Sequence, residues 1–219
     1  MKWIYATWSV ALIFLAFGGQ ESLPSADAAL AELKAGNAHH VAKKYLHPHQ
    51  TADRQHLLAS GQTPHSAILT CSDSRVPPEI VFDEGLGDIF AIRVAGNVAG
   101  DDETASIEYA AEHLHVPLVV VMGHQHCGAV SAAVEGGTPP GKLPTLMAAL
   151  RPAVDQSAHE PGDRVENAVR DNVVHVVEQL RTAKPVLSEL VKAGKLRIVG
   201  AVYSLDTGRV DWLPAAGHE

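Results

Sequence analysis

Residues 117–128 read PLVVVMGHQHCG. Pro117–Met122 is apolar at successive positions, so a strand built from it needs cover on both faces. That is the pattern of a parallel strand buried between layers of helices, not of a half-solvated antiparallel one. Gly123, His124, Cys127 and Gly128 follow at once, and residues 127–135 then take a helical pattern. A strand that ends in a histidine and a cysteine and turns into a helix puts both side chains at the carboxyl edge of a sheet. Ligands bind at that edge in open parallel sheets.

Outward from this stretch, Ala67–Thr70, Asp88–Val94 and Leu196–Val202 are three more short apolar runs. Helical patterns separate them: Glu103–His115, with Asp101 or Asp102 as its cap, then residues 144–157, 163–183 and 185–193. Several start near prolines, and two stop at Gly136 and Gly194. Alternating strands and helices imply an α/β fold with a central, mostly parallel sheet flanked by helices. Arg209–Leu213, after the turn Asp206-Thr207-Gly208, is expected as an added edge strand.

Before the first strand, Leu30, Leu33, Ala38, Val41, Ala42 and Tyr45 form one stripe over residues 28–45. Gly36-Asn37 is expected to break that helix in two, and His47-Pro48 to end it. Residues 52–60 form another short helix, so 29–62 reads as an N-terminal helical arm on a single catalytic domain spanning 29–219.

The first residues differ from the rest. Lys2 precedes the uncharged run Trp3–Phe17, Gly18-Gly19 breaks it, and Ala26-Asp27-Ala28 offers a small-residue cleavage site. This is the order of a secretory signal, 1–28, cut after Ala28, and it predicts an exported, periplasmic protein with no stable membrane insertion after cleavage. The apolar run is shorter than the ~20 residues of a spanning helix. With 46% hydrophobic and 19% charged residues the chain is ordinary for a globular domain. Its net charge of −8, with no basic cluster, argues against a nucleic-acid partner.

The second chemistry-bearing stretch is TCSDSRV, residues 70–76, at the end of the Ala67–Thr70 run. Cys71 and Cys127 are the only cysteines. Export favours a Cys71–Cys127 disulfide. The neighbours favour a metal: Cys71, His124 and Cys127 are a two-thiolate, one-imidazole set that suits zinc and leaves a fourth position open. A disulfide has no need of the adjacent Asp73 and Arg75.

Cys71-Ser72-Asp73-Ser74-Arg75 and Gly123-His124-x-x-Cys127-Gly128 together resemble the paired motifs of the β-class carbonic anhydrases. Gly36-Asn37, His47-Pro48, Val76-Pro77-Pro78-Glu79, Gly85-x-Gly87-Asp88, Arg93-Val94-Ala95-Gly96-Asn97 and Ser106-x-Glu108-Tyr109-Ala110 extend the resemblance, in order, over roughly residues 30–205. The resemblance implies one Zn²⁺ per chain held by Cys71, His124 and Cys127, a catalytic dyad of Asp73 and Arg75, and interconversion of CO₂ and bicarbonate. It also implies a homodimer or a dimer of dimers.

Two thiolates cancel the charge of Zn²⁺, which makes it a weaker Lewis acid than a three-histidine zinc. Asp73 can then help by orienting the nucleophile, and Arg75 by holding Asp73 off the metal. The Gly128 N–H, at a helix start, is placed to bind a bicarbonate oxygen. Two rivals share some of these residues: a carbon disulfide or carbonyl sulfide hydrolase on the same fold, and a noncatalytic exported zinc-binding protein.

Other residues invite blander readings. His126 is read as a helix-surface histidine ahead of a proton shuttle. His39, His40, His47, His49, His56 and His65 are too irregularly spaced to suggest a second metal and are read as solvated or locally bonded. Arg93 is read as structural or as a subunit contact, and Tyr109 as packing. Some relatives bind regulatory bicarbonate in a pocket that includes a tryptophan near the N-terminal helices. After cleavage Trp212 is the only tryptophan here, so the resting state is expected to keep Asp73 on Arg75.

Overall fold

The computed structural model describes residues 23–214. Five strands form one sheet: β1 (Ser66–Thr70), β2 (Ile89–Arg93), β3 (Leu118–His124), β4 (Arg197–Tyr203) and β5 (Val210–Trp212). Their order is β2-β1-β3-β4-β5. The first four are parallel, as the continuous apolar runs predicted; β5 is the expected edge strand and runs antiparallel to β4. β1 and β3 are buried at every position. Both sheet faces therefore need cover, and the helices supply it.

Eight α-helices accompany the sheet among the described residues: α1 (Ala26–Ala42), α2 (Ala52–Leu57), α3 (Pro78–Val81), α4 (Asp101–Glu112), α5 (Gly128–Glu135), α6 (Leu143–Ser157), α7 (Arg164–Thr182) and α8 (Val186–Lys192). α7 buries Val169, Val173, Val176, Val177 and Leu180, the stripe of a helix lying on a sheet. It sits close because β3 and β4 each present a glycine. A Cβ at Gly123 or Gly200 would meet Val173 at 2.8 or 2.7 Å.

Two local expectations are corrected. α1 is continuous through Gly36-Asn37. Gly36 is there for close approach, since a Cβ on it would lie 1.7 Å from the Phe82 carbonyl oxygen. Asn37 donates to the Val81 and Gly208 carbonyls at 3.1 and 2.9 Å and accepts from the Val210 N–H at 2.9 Å. The pair that looked like a helix breaker is the seam joining α1 to α3 and β5. α1 ends instead at Lys43, whose left-handed backbone (φ 56) closes the helix. At α4, Gly100 occupies the N-cap while Asp101 and Asp102 lie in the first turn. The Glu103 carboxylate accepts from the Gly100 N–H at 3.0 Å, and the acids suit the positive end of the helix dipole.

Gly36→Ala is expected to destabilise the fold by about 2–3 kcal/mol, because backbone, not a pliable side chain, blocks the added methyl. At this size that lowers the midpoint of thermal unfolding by about 5–10 °C. A calorimetric scan with an unchanged midpoint would show that α1 does not dock through Gly36.

The histidines of the arm are mostly locally bonded, as expected. His39 pairs with Asp83 at 3.1 Å and His49 with Asp88 at 2.7 Å. His40 is buried between the Tyr203 and Tyr45 hydroxyls, each at 2.9 Å. Burial, aided by Lys43, holds it below its ordinary pKa, which keeps the ring neutral. Tyr109 departs from simple packing: it is half exposed and lies against Phe90 and His113.

Candidate metal centre

The register of the sheet builds the site. β1 pairs with β3 only as far as Thr70 opposite Met122, while β3 runs on through Gly123 and His124 alongside β4. Cys71, the next residue after β1, thus comes beside the end of β3. Cys127 follows within one turn as the residue that opens α5. The left-handed backbone of His126 (φ 51) makes that turn tight, and its N–H is held by Glu166 at 2.9 Å.

Cys71, His124 and Cys127 are all buried, and one donor atom from each lies within 4.8 Å of the others. Both cysteines are free thiols, with their sulfurs 4.0 Å apart. A tetrahedral zinc with Zn–S bonds of ~2.3 Å holds two thiolate sulfurs roughly 3.8 Å apart, so the spacing fits a shared metal. His124 Nδ1 donates to the Gln125 carbonyl at 2.8 Å, which leaves the lone pair on Nε2. That Nε2 is buried and makes no hydrogen bond. An orphaned buried nitrogen is costly unless a cation takes its lone pair. The donor set therefore fits a zinc ion on geometry, burial and chemistry.

The scaffold also stabilises negative charge on sulfur. Cys71 Sγ accepts from the Gly96 N–H at 3.3 Å and the Asp73 N–H at 3.4 Å. Donation from the Cys127 thiol, with these amides, holds the Cys71 thiol well below its ordinary value. Cys127, as donor in that pair and buried, is pushed up. Gly96 is itself held from behind, its carbonyl accepting from Asn172 of α7 at 2.8 Å.

Asp73 and Arg75 meet as the motif implied. Arg75 Nε and Nη2 bind the two Asp73 oxygens at 2.9 and 2.7 Å, and the Arg75 backbone N–H adds a third contact at 2.9 Å. The Arg75 guanidinium holds the Asp73 carboxyl well below the usual carboxylate range. Asp73 Oδ2 lies 3.9 Å from His124 Nε2, beside the donor set but turned onto Arg75. Arg93 has a structural part: it donates to the Cys71 carbonyl at 3.1 Å and the Asp73 carbonyl at 2.6 Å, fixing the loop between them. Gly128 is the first residue of α5, and a Cβ there would meet nothing within 4 Å. His126 is not on a helix surface. Its ring is two-thirds exposed in the loop before α5, 3.4 Å from Glu166.

The supports that sequence reasoning missed are Asn172, Glu166 and the Gly96 amide as a sulfur donor. Only Gly96 had a signal, as part of Arg93-Val94-Ala95-Gly96-Asn97. Asn172 and Glu166 lie in a long amphipathic helix where nothing local marks them.

A family model described as carbonic anhydrase matches residues 66–210. Carbonic anhydrase 2 of Mycobacterium tuberculosis is 41% identical over 186 residues, covering 83% of this chain and 90% of that protein. Among solved structures, the β-carbonic anhydrase CafA of Aspergillus fumigatus superposes with a TM-score of 0.67 at 33% identity, covering 88% of this chain and 92% of that one. A tetrameric β-carbonic anhydrase of Sordaria macrospora superposes at 0.68 with 28% identity, covering 85% and 97%. With a family model matched over residues 66–210 and likeness to carbonic anhydrases over most of its length, the chain belongs to the β-class carbonic anhydrase family.

Proposed function

We propose that this chain catalyses the reversible hydration of CO₂ to bicarbonate and a proton, with one Zn²⁺ held by Cys71, His124 and Cys127. The observation that carries the reading is the Asp73–Arg75 clamp beside a buried donor set that leaves a fourth position free. A bound Zn²⁺ would supply the Lewis acidity that makes water a nucleophile at pH values far below its own pKa. Arg75 engages both Asp73 oxygens and so keeps that carboxylate from becoming a fourth ligand; this supports the open resting arrangement. Asp73, ionised by the same clamp, accepts a hydrogen bond from the nucleophile and aims its lone pair at the CO₂ carbon. The Gly128 N–H has no intrahelical acceptor at the first position of α5, and a helix N-terminus suits a bicarbonate oxygen. The proton released passes to buffer.

Stopped-flow CO₂ hydration at pH 8–9 tests the proposal. Because two thiolates offset the metal's charge, the rate is expected to climb toward alkaline pH. Zinc-loaded protein without hydration activity would overturn it, and a profile flat down to pH 6 would contradict the electrostatic argument. Carbon disulfide and carbonyl sulfide run alongside would reveal a different substrate preference.

The same proposal places the protein outside the cytoplasm, in the periplasm, with residues 1–28 as a cleaved leader. Residues 1–22 lie outside the described residues, and among the described ones no helix is long and apolar enough to cross a membrane. A cut after Ala28 falls within the first turn of α1. It removes the Ser25 cap, whose oxygen accepts from the Ala28 N–H, and the Asp27 partner of Arg197. Mass spectrometry of the exported protein is expected to find Ala29 at the amino terminus; Met1 there would refute the leader.

A homodimer or dimer of dimers completes the proposal. The tetrameric Sordaria neighbour supports it, as do the exposed apolar side chains of Leu46, Leu57, Ile80 and Leu86. Light scattering that gave the monomer mass would exclude it.

A further inference from the structure

At the opposite end of β1 lies a second group of potential ligands. His65 immediately precedes the strand, Glu84 follows α3 on the way to β2, and Glu32 sits on α1. One donor atom from each lies within 4.8 Å of the others. His65 and Glu84 are buried, at 8% and 5% exposure, while Glu32 is exposed and gives the group a side open to solvent.

His65 is poised as a ligand. Its Nδ1 is engaged by the Ser66 hydroxyl at 2.8 Å, so Nε2 is the atom aimed at the carboxylates. That Nε2 is buried and has no hydrogen-bond partner. It stops 3.5 Å from Glu84 Oε2. A histidine–carboxylate hydrogen bond would close to ~2.7–2.9 Å. The observed gap is instead near the roughly 3.3 Å edge between two ligands of a tetrahedral metal with bonds of ~2.0–2.1 Å. The surrounding charge points the same way. Arg54 and His49 are both engaged by Asp88, at 3.1 and 2.7 Å, rather than by Glu84. Burial pushes the Glu84 carboxyl up against the pull of His65, and Glu84 in turn raises His65 against its own burial, so a cation here would displace a proton shared by the pair.

We propose that Glu32, His65 Nε2 and Glu84 form a second divalent-cation site, best matched to Zn²⁺. One imidazole and two carboxylates is a donor set zinc accepts, with water able to complete it from the exposed side. The site stands at the amino end of β1, about 20 Å along the chain from Cys71 if the six residue steps from His65 to Cys71 run extended. It ties α1 to the strand and to the loop before β2, so the cation acts as a staple for the N-terminal arm. It is independent of the CO₂ chemistry and of the thiol site.

Metal counting on the full-length chain tests it. The chelator-stripped protein is titrated with Co²⁺, and then with Zn²⁺ followed by elemental analysis. Wild type is expected to take two equivalents per chain, one with thiolate-to-cobalt charge-transfer absorption and one without it. His65→Ala and Glu84→Gln are expected to retain only the equivalent with the charge-transfer band. Glu32→Gln, on the exposed face of α1, is expected to keep its fold and bind the second equivalent at least tenfold more weakly. Wild type with a single, thiolate-bound equivalent would overturn the site. So would an unchanged second equivalent in Glu32→Gln, which decides the matter if the buried variants fail to fold. Failure of the thiol centre instead would show as loss of the charge-transfer equivalent alone.

Discussion

Cys127→Ser is expected to lose the thiolate-bound zinc, from about one per chain to near none, and with it essentially all CO₂ hydration. The serine hydroxyl is a poor zinc ligand, and the remaining thiol and imidazole cannot hold the ion against dilution. Without a Lewis acid the pKa of water returns to ~15.7, so a fall of at least about a thousandfold is expected. The fold should survive. Cys127 caps α5 and is buried, but the register that brings Cys71 beside β3 is set by the sheet and not by the thiols. A variant that kept its zinc and its rate would remove Cys127 from the metal set. Elemental analysis beside stopped-flow assays reads both outcomes.

Arg75→Ala is expected to separate positioning from metal binding. Zinc should stay bound, because no donor atom is touched. Asp73, freed of the two side-chain contacts and keeping only the backbone N–H one, can turn the 3.9 Å toward His124 Nε2 and compete for the fourth position. Activity should drop by roughly a hundredfold or more, the scale of loss when a reacting group is misplaced by about an ångström. The Asp73 carboxyl should also return toward its ordinary pKa, because the guanidinium is the main reason it sits low. Arg75→Lys should rescue only in part, since an ammonium cannot grip both oxygens. If Arg75→Ala kept full activity, the clamp would have no part in catalysis.

Much of the fold could be read from the chain because its strands are buried on both faces. Ala67–Thr70 and Pro117–Met122 are apolar without alternation, which only a parallel sheet between helices satisfies. The candidate metal site was legible for a related reason: its donor residues stand at or just past the ends of those same runs. What escaped was long-range. Gly36-Asn37 has the local signature of a break, yet Asn37 answers to Val81, Gly208 and Val210, none of them near in sequence. Asn172 supports Cys71 through Gly96, a relay that no motif announces. His65 was set aside with the other arm histidines for irregular spacing. Its companions Glu32 and Glu84 come from α1 and from the loop after α3, and only the packed fold brings them together.

The most direct test of the central claim is zinc content and CO₂ hydration measured together on wild type and Asp73→Ala. Wild type is expected to carry thiolate-bound zinc and to hydrate CO₂ fast at pH 8–9. Asp73→Ala is expected to keep that zinc while losing most of the rate. Equal rates in the two proteins, or zinc-loaded wild type without hydration, would contradict the account.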